Sequence, residues 1–446
     1  MDVILQSGAS LRGTVRVPPD KSIAHRGVLL AALADGPTEL RPWPSGDDCQ
    51  RTAKAVEALG ITIDRSTDAV TVHGRGLGGL RAPADPIDCG ESGTTLRLAA
   101  GLLAGQPFSA QLTASPSLAR RPMQRIVQPL TRMGARMEGR ASSEPAQELY
   151  PPLTIHGRRP LHPIAYEMPV ASAQVKSAIL LAGLFADGPT TVIEPSPTRD
   201  HTERLLRHCG ISVASERRRV TVTPGTVVSP GLLRIPGDLS SAAFLVVAAL
   251  CVPGSRVVLE DVSLNPSRTG VLAVLRRMGA RIEETHADEG WEPSGALTVE
   301  AQPLQAVRLA PEEIPAVIDE LPVLMVAAAC ARGTSRFEGV AELKVKETDR
   351  VRSMMEGLRR LGAQVTLPAP DVVEITGGTL SGACVESAGD HRTAMSLSVA
   401  ALAAAGQTRV AGAECVAKSF PDFFGRLGGL AGSSTVKTVD KGGTLC

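Results

Sequence analysis

The sequence predicts an α/β protein of two similar domains, each built from three copies of one βαββαβ unit. Three observations carry this reading. A helix–glycine–strand pattern recurs six times, a second helix-to-strand junction alternates with it, and a Pro/Gly-rich stretch marks the midpoint of the chain. At 446 residues the chain is too long for one ordinary compact domain, so two is the default count.

The first pattern has a polar start, an Ala/Leu-rich helix, a glycine and a strand. It reads DKSIAHRGVLLAALADGPTEL from Asp20, ESGTTLRLAAGLLAGQPFSAQL from Glu91 and SAQVKSAILLAGLFADGPTTV from Ser172. It returns as DLSSAAFLVVAALCVPGSRVVL from Asp238, DELPVLMVAAACARGTSRF from Asp319 and DHRTAMSLSVAALAAAGQTRV from Asp390. The second junction carries Gly60, Gly134, Gly210, Gly279, Gly362 and Gly428, placed where a helix C-cap favours a left-handed backbone. PGTVVSPGLLRIPGD (224–238) is the natural crossover, which predicts a first three-repeat domain over 20–235 and a second over 236–430. The tail 431–446 is polar and weakly patterned, and reads as frayed.

Composition narrows the function. Lys plus Arg (47) nearly cancels Asp plus Glu (46), which argues against a nucleic-acid binder with a basic face. Only 2% aromatic residues leave few rings for base stacking. Eight cysteines without a CxxC pair, and histidines without HExxH spacing, point to isolated thiols in a reducing cytosol and away from zinc. The N-terminus has no basic-then-apolar leader, and the longest apolar runs, such as 242–250, are too short to span a bilayer.

The starts of the repeat helices carry the chemistry. Asp20, Ser92, Ser172, Asp238, Asp319 and Asp390 read as N-caps. Helix N-termini present unpaired N–H groups and partial positive charge, so three in each domain can build an anion site. Around them stand candidate grips: Lys21, Ser22 and Arg26 in PPDKSIAHR, Gly93 in CGESGTTLRL, and Arg120 and Arg121, which Pro122 in a first helical turn would hold at another helix start. Ser172 and Gln174 continue the set, as does Arg199 in TRDHTE, a segment that a capping box with salt bridges explains equally well. In the second half Asp319 and Glu320 border an apolar run, where an acid suits general-base work or simple capping. Lys346 and Arg350 at i,i+4, with Glu347 beside them, read as a surface helix; Arg392 and Lys418 follow. Without a GxSxG elbow or a thiol–base pair, direct transfer between anions by acid–base and electrostatic catalysis is the reaction class that fits.

In order from residue 18 to 424, PPDKSIAHR, ESGTTLRL, RRPM, SAQVKSAILLAGL, TRDHTE, PGDLSSAAF, LNPSRTG, IDELP, VKETDR, GDHRTAMS and KSFPDFF resemble the 5-enolpyruvylshikimate-3-phosphate synthase family. The resemblance implies an inside-out α/β barrel in each domain, residues 1–19 completing the second, and a substrate cleft between domains that close. It implies attack of the 5-hydroxyl of shikimate 3-phosphate on C2 of phosphoenolpyruvate, protonation of C3, and loss of phosphate from a tetrahedral intermediate. No cofactor, metal or covalent adduct is implied, and the expected state is a cytoplasmic monomer. By motif, shikimate 3-phosphate falls to Lys21, Ser22, Arg26, Ser172, Ala173, Gln174, Arg199, Asp319 and Lys346. Phosphoenolpyruvate falls to Lys21, Gly93, Arg121, Gln174, Arg350, Arg392 and Lys418, with Asp319 as base and Glu347, with Lys21, as acid.

Three positions depart from the family pattern: Glu91 for asparagine, Ala173 for a second serine and Thr393 for isoleucine. Retention of Gly93 implies that glyphosate competes with phosphoenolpyruvate, with Glu91 the position to question. The related transferase acting on UDP-N-acetylglucosamine pairs its lysine with asparagine and carries a cysteine before its Arg-Pro; here Ser22 follows Lys21 and SPSLARRP has no cysteine. A non-catalytic anion-binding repeat protein is the other alternative, and would need no Asp319–Glu347 pair.

Overall fold

A computed structural model describes residues 1–141, 148–288, 290–432 and 434–439. The chain divides into two units, one of Pro19–Ile235 and one of Met1–Pro18 together with the chain from Pro236 onward.

Among the described residues each unit contains three four-stranded sheets. All six sheets follow one plan: a parallel edge pair followed by two antiparallel pairs. The strand Leu232–Arg234 completes the first unit by pairing with Asp35–Arg41. In the second unit Arg12–Arg16 pairs with Arg256–Ser263, and Asp2–Gln6 lies between Gln407–Ala411 and Val436–Val439.

The α/β class holds, but the order of elements within a repeat is βαβαββ, as in Ile87–Asp88, Gly93–Ala104, Ser109–Thr113, Gln124–Arg132, Arg136–Ala141 and Leu149–His156. The strand entering each repeat helix is only two or three residues long in Ile87–Asp88, Ala165–Glu167 and Arg308–Leu309, too short to leave a period in the sequence.

The repeat helices are Lys21–Leu33, Gly93–Ala104, Ala173–Gly183, Leu239–Cys251, Leu321–Cys330 and His391–Ala403. They are apolar on every side because they run through the core: every residue from Leu239 to Leu250 is buried. Small residues let such helices touch. A Cβ on Gly101 would lie 2.3 Å from the Ala178 carbonyl oxygen, so Gly93–Ala104 can pack against Ala173–Gly183 only with glycine there. The second helix of each repeat is amphipathic, as in Arg350–Arg360, whose arginines at 352, 359 and 360 are exposed while Val351, Met354 and Leu358 are buried.

Several local expectations change. Gly428 lies inside the helix Phe423–Ala431, and the C-cap is Gly432, at φ 92°. The tail is not frayed throughout: Val436–Val439 pairs with Asp2–Gln6, Gln6 N donates to the Thr435 carbonyl at 2.9 Å, and Thr435 is buried. The part of the tail from 440 onward lies outside the described residues. Nor are all thiols isolated: Cys384 is disulfide-bonded, while Cys49, Cys89, Cys209, Cys251, Cys330 and Cys415 are thiols. No described helix is long and apolar enough to cross a membrane.

Candidate active site

Many candidates lie at the starts of the repeat helices, while Arg121, Arg199, Lys346, Arg350 and Lys418 lie on loops, 3-10 turns or second helices. In the first unit the three caps form as expected. Asp20 Oδ1 accepts from Ile23 N at 2.9 Å, Ser92 Oγ from Thr95 N at 3.1 Å, and Ser172 Oγ from Val175 N at 3.4 Å. The caps hold the third N–H of each helix, and in Gly93–Ala104 the first N–H also donates, from Gly93 N to the Glu91 carbonyl at 3.1 Å. Ala173 is the first residue of its helix, so its missing hydroxyl leaves a backbone donor at that position.

Lys21 donates from Nζ to Asp48 Oδ2. Arg26 is buried, and its guanidinium bonds Ser22 O at 2.9 Å, Thr202 Oγ1 at 2.7 Å and Ser177 Oγ at 2.8 Å. It thereby fixes the Ser22 backbone against the helices Ala173–Gly183 and His201–His208. His25, buried beside them on Thr52, has its pKa pushed down by burial to about 3, so it adds no charge near Lys21 at neutral pH.

Gln174 joins two of the loops. Its Oε1 accepts from Arg97 Nη1 at 2.8 Å and its Nε2 donates to Thr94 Oγ1 at 2.9 Å. A Cβ on Gly93 would stand 2.8 Å from Arg97 Nη1 and 3.3 Å from Arg121 Nη1, so both guanidinium groups crowd the glycine. Arg97 escaped the sequence reading, although its place four residues after Gly93 on one helix face was a usable signal. Arg120 and Arg121 do not open a helix: Arg120 ends the 3-10 turn Leu118–Arg120, and the helix begins only at Gln124, because Met123 intervenes after Pro122. The segment before His201–His208 is not a capping box either. Asp200 makes no side-chain cap bond and instead pairs with Arg204 at 2.8 Å. Arg199 is half-buried at the end of that loop.

In the second unit Asp319 is not an N-cap. The helix Leu321–Cys330 is entered through Glu320, already in a helical conformation, directly after the short helix Ile314–Val317. A capping residue needs an extended backbone, and the chain supplies none here. The Asp319 carboxylate instead faces cations: Lys346 Nζ at 3.8 Å, Arg350 Nη1 at 3.8 Å and Arg392 Nη2 at 3.9 Å. Arg392 also donates from Nη1 to the Asp319 carbonyl at 2.8 Å.

Lys346 and Arg350 do not share a helix. Lys346 follows the 3-10 turn Val340–Val345, and Asp349 caps the helix Arg350–Arg360 through Arg352 N at 3.0 Å. Arg350 is buried, not surface-exposed; its Nε bonds Asp390 Oδ2 at 2.7 Å and its Nη2 bonds Glu347 Oε2. Burial works against its charge, but Asp390, Glu347 and Asp319 together raise its pKa. Desolvation lowers the Lys346 pKa, more than the Asp319 charge beside it can offset. Asp390 caps the helix His391–Ala403 through Arg392 N at 2.8 Å and Thr393 N at 3.4 Å. Lys418, at the end of the 3-10 turn Ala413–Lys418, donates to the Gly389 carbonyl at 3.2 Å. Among the candidates Arg26, Gly93, Glu320 and Arg350 are buried, Arg120 is exposed and the others are half-buried.

Known proteins share this arrangement of repeats. The family model described as EPSP synthase (3-phosphoshikimate 1-carboxyvinyltransferase) matches residues 5–427. A 3-phosphoshikimate 1-carboxyvinyltransferase of Pelobacter propionicus is 47% identical over 95% of this chain and 97% of its own. One from Acidithiobacillus ferrooxidans is also 47% identical, over 94% of this chain and 95% of its own. Among solved structures, an EPSP synthase from Acinetobacter baumannii superposes with a TM-score of 0.86 at 39% identity, covering 98% of this chain and all of that one. The enolpyruvyl transferase NikO from Streptomyces tendae, at 18% identity and a TM-score of 0.74 over 96% of this chain and 97% of its own, shares the fold. The chain belongs to the EPSP synthase (3-phosphoshikimate 1-carboxyvinyltransferase) family.

Proposed function

We infer that this protein transfers the enolpyruvyl group of phosphoenolpyruvate to the 5-hydroxyl of shikimate 3-phosphate and releases phosphate, a step of the shikimate pathway toward aromatic amino acids. The observation that carries the reading is the family match over nearly the whole chain.

The residue roles are part of the same proposal. Lys21, Ser22, Arg26, Ser172, Ala173, Gln174, Arg199 and Lys346 hold shikimate 3-phosphate, while Gly93, Arg121, Arg350, Arg392 and Lys418 hold phosphoenolpyruvate. Lys21 and Gln174 serve both. Gln174's bonds to Arg97 and Thr94 support that double role, because they tie the Ser172 and Gly93 loops together.

Asp319 takes the proton of the 5-hydroxyl as its oxygen bonds to C2 of the donor. Glu347, with Lys21, delivers a proton to C3. The C2–O bond to phosphate then breaks, the proton leaves C3 and the enol ether remains. Three cations around Asp319 support this role, since they attract an anionic acceptor to the base. Glu347 holds Arg350 before substrate arrives, so the acid role requires that pair to loosen as the donor binds.

The protein works on small molecules; a cytoplasmic monomer is the state proposed, which sedimentation at micromolar concentration would test. The reaction itself is tested by phosphate release with both substrates together and with each alone. Release only with both, lost in Asp319→Ala, is expected; release from phosphoenolpyruvate alone, or none from a folded sample with both, refutes it.

A further inference from the structure

The motifs PGDLSS and LNPSR, and the Glu320 of IDELP, find no role in substrate binding, yet they meet at one place in the second unit. Glu320 is buried, and its Oε1 accepts from Ser240 Oγ at the start of the helix Leu239–Cys251. Arg268, also buried, donates from Nη2 to Ser240 Oγ at 2.7 Å and to Asp238 Oδ1 at 2.8 Å. Asp238 caps the same helix through Ser240 N at 2.9 Å. The N-terminus of Leu239–Cys251 thus differs from the first unit's helix starts: the protein's own Glu320 carboxylate reaches it through Ser240, beside the Arg268–Asp238 ion pair.

The consequence falls on the neighbouring residue. Glu320 points to Ser240, while the Asp319 carboxylate faces Lys346, Arg350 and Arg392, and Arg392 grips the Asp319 carbonyl at 2.8 Å. The Asp319–Glu320 segment is therefore tethered on one side to Leu239–Cys251 and on the other to His391–Ala403. No side-chain cap holds the start of Leu321–Cys330, so these two tethers take the place of the missing cap.

We propose that Glu320, through Ser240 and the buried Arg268–Asp238 pair, is a positioning residue that aims the Asp319 carboxylate at the acceptor hydroxyl. The inference rests on the reading of Asp319 as the base. A carboxylate displaced by about 1 Å loses on the order of 100-fold in proton transfer, whereas substrate binding by the surrounding cations is left intact.

The test compares Ser240→Ala, Glu320→Ala, Glu320→Gln and Asp319→Asn by steady-state phosphate release with both substrates, each first shown to unfold cooperatively on heating. Ser240→Ala and Glu320→Ala should lower kcat by roughly 10- to 100-fold and leave each KM within about twofold. Glu320→Gln still accepts from Ser240 and should recover most of the rate. Added to Asp319→Asn, Ser240→Ala should cost little more, because the group it aims is already gone. Wild-type kcat in Ser240→Ala and Glu320→Ala, or an additive loss in the double variant, overturns the positioning role. Glu320→Gln as slow as Glu320→Ala overturns the hydrogen-bond tether. Full activity in Asp319→Asn instead removes the base assignment on which the inference stands, and the two failures are separate readings of one experiment.

Discussion

Replacing Asp390 separates the two tasks of one buried carboxylate. Its Oδ1 caps the helix His391–Ala403, and its Oδ2 holds Arg350 Nε at 2.7 Å. Asp390→Ala removes both. A lost N-cap costs about 1 kcal/mol, and a buried arginine deprived of its partner costs about 3–5 kcal/mol. Glu347 and Asp319 still face Arg350, so the lower end applies and the sum is about 4 kcal/mol. Asp390→Asn keeps an oxygen for the cap and loses the charge, and should cost about 3 kcal/mol. Urea unfolding, with hydrogen exchange read along His391–Ala403, measures both. The pH dependence gives a second check. Burial alone would raise the Asp390 pKa, but Arg350 and His391 more than offset it and hold the carboxyl below its ordinary value. Its stabilisation is therefore complete above the unfolded-state pKa, about 3.9, and is lost as pH falls through the lower folded value. Asp390→Asn should flatten that acid limb. An Asn variant within about 0.5 kcal/mol of the parent, with the acid limb unchanged, would show that Glu347 and Asp319 satisfy Arg350 without Asp390, and would refute the argument.

Two further outcomes follow from the first unit. Gly93→Ala should displace Arg97 and Arg121, raise KM for phosphoenolpyruvate about tenfold, the scale of one charged hydrogen bond, and weaken glyphosate inhibition in parallel; unchanged donor KM in phosphate-release kinetics would refute this. Lys176 is buried between Glu194 at 3.0 Å and Glu203 at 2.6 Å, so Lys176→Met strands two carboxylates and should cost about 3–5 kcal/mol in urea unfolding. Burial raises the Glu203 pKa despite Lys176, so its ionisation opposes folding as pH rises past the unfolded value of about 4.3. Glu203→Gln should lack that decline and match or exceed the parent stability at pH 7; a loss as large as that of Lys176→Met would show that the second carboxylate is needed.

The repeat helices were legible because their signals are local: a capping side chain, a small-residue apolar run and a closing glycine. Five of the six expected caps form, at Asp20, Ser92, Ser172, Asp238 and Asp390. Asp319 fails for a reason no short window contains, namely that the preceding residues Ile314–Val317 are themselves helical and deliver the chain already turned. The same limit hid the partners of the site. Lys21 meets Asp48, Arg268 meets Asp238, Ser240 meets Glu320 and Arg350 meets Asp390 across 27 to 80 residues of sequence. Motif resemblance named many of the cations, and Asp319 and Glu347 beside them, but not Asp48 or the Ser240–Glu320 contact, since these partners lie tens of residues away on other elements. The short parallel edge strands were missed because two residues carry no alternation.

These pairings also reconcile a net charge of +1 with a site built for anions. Bare clustered cations would repel one another and resist burial, so the fold supplies carboxylates as partners: Asp48 for Lys21, Asp390 and Glu347 for Arg350, Asp319 near Lys346 and Arg392. They differ in how firmly they hold. Asp390 is buried and committed to a helix cap, whereas Asp319 stays at 3.8–3.9 Å from its cations and both it and Glu347 are half-buried. On the proposed reaction, the phosphate and carboxylate groups of the substrates take over the cations that Asp319 and Glu347 attend. The two carboxylates released are the two that the reading assigns to proton transfer, so substrate binding itself frees the acid and the base. Asp390, which no substrate displaces, keeps Arg350 in place while that exchange occurs.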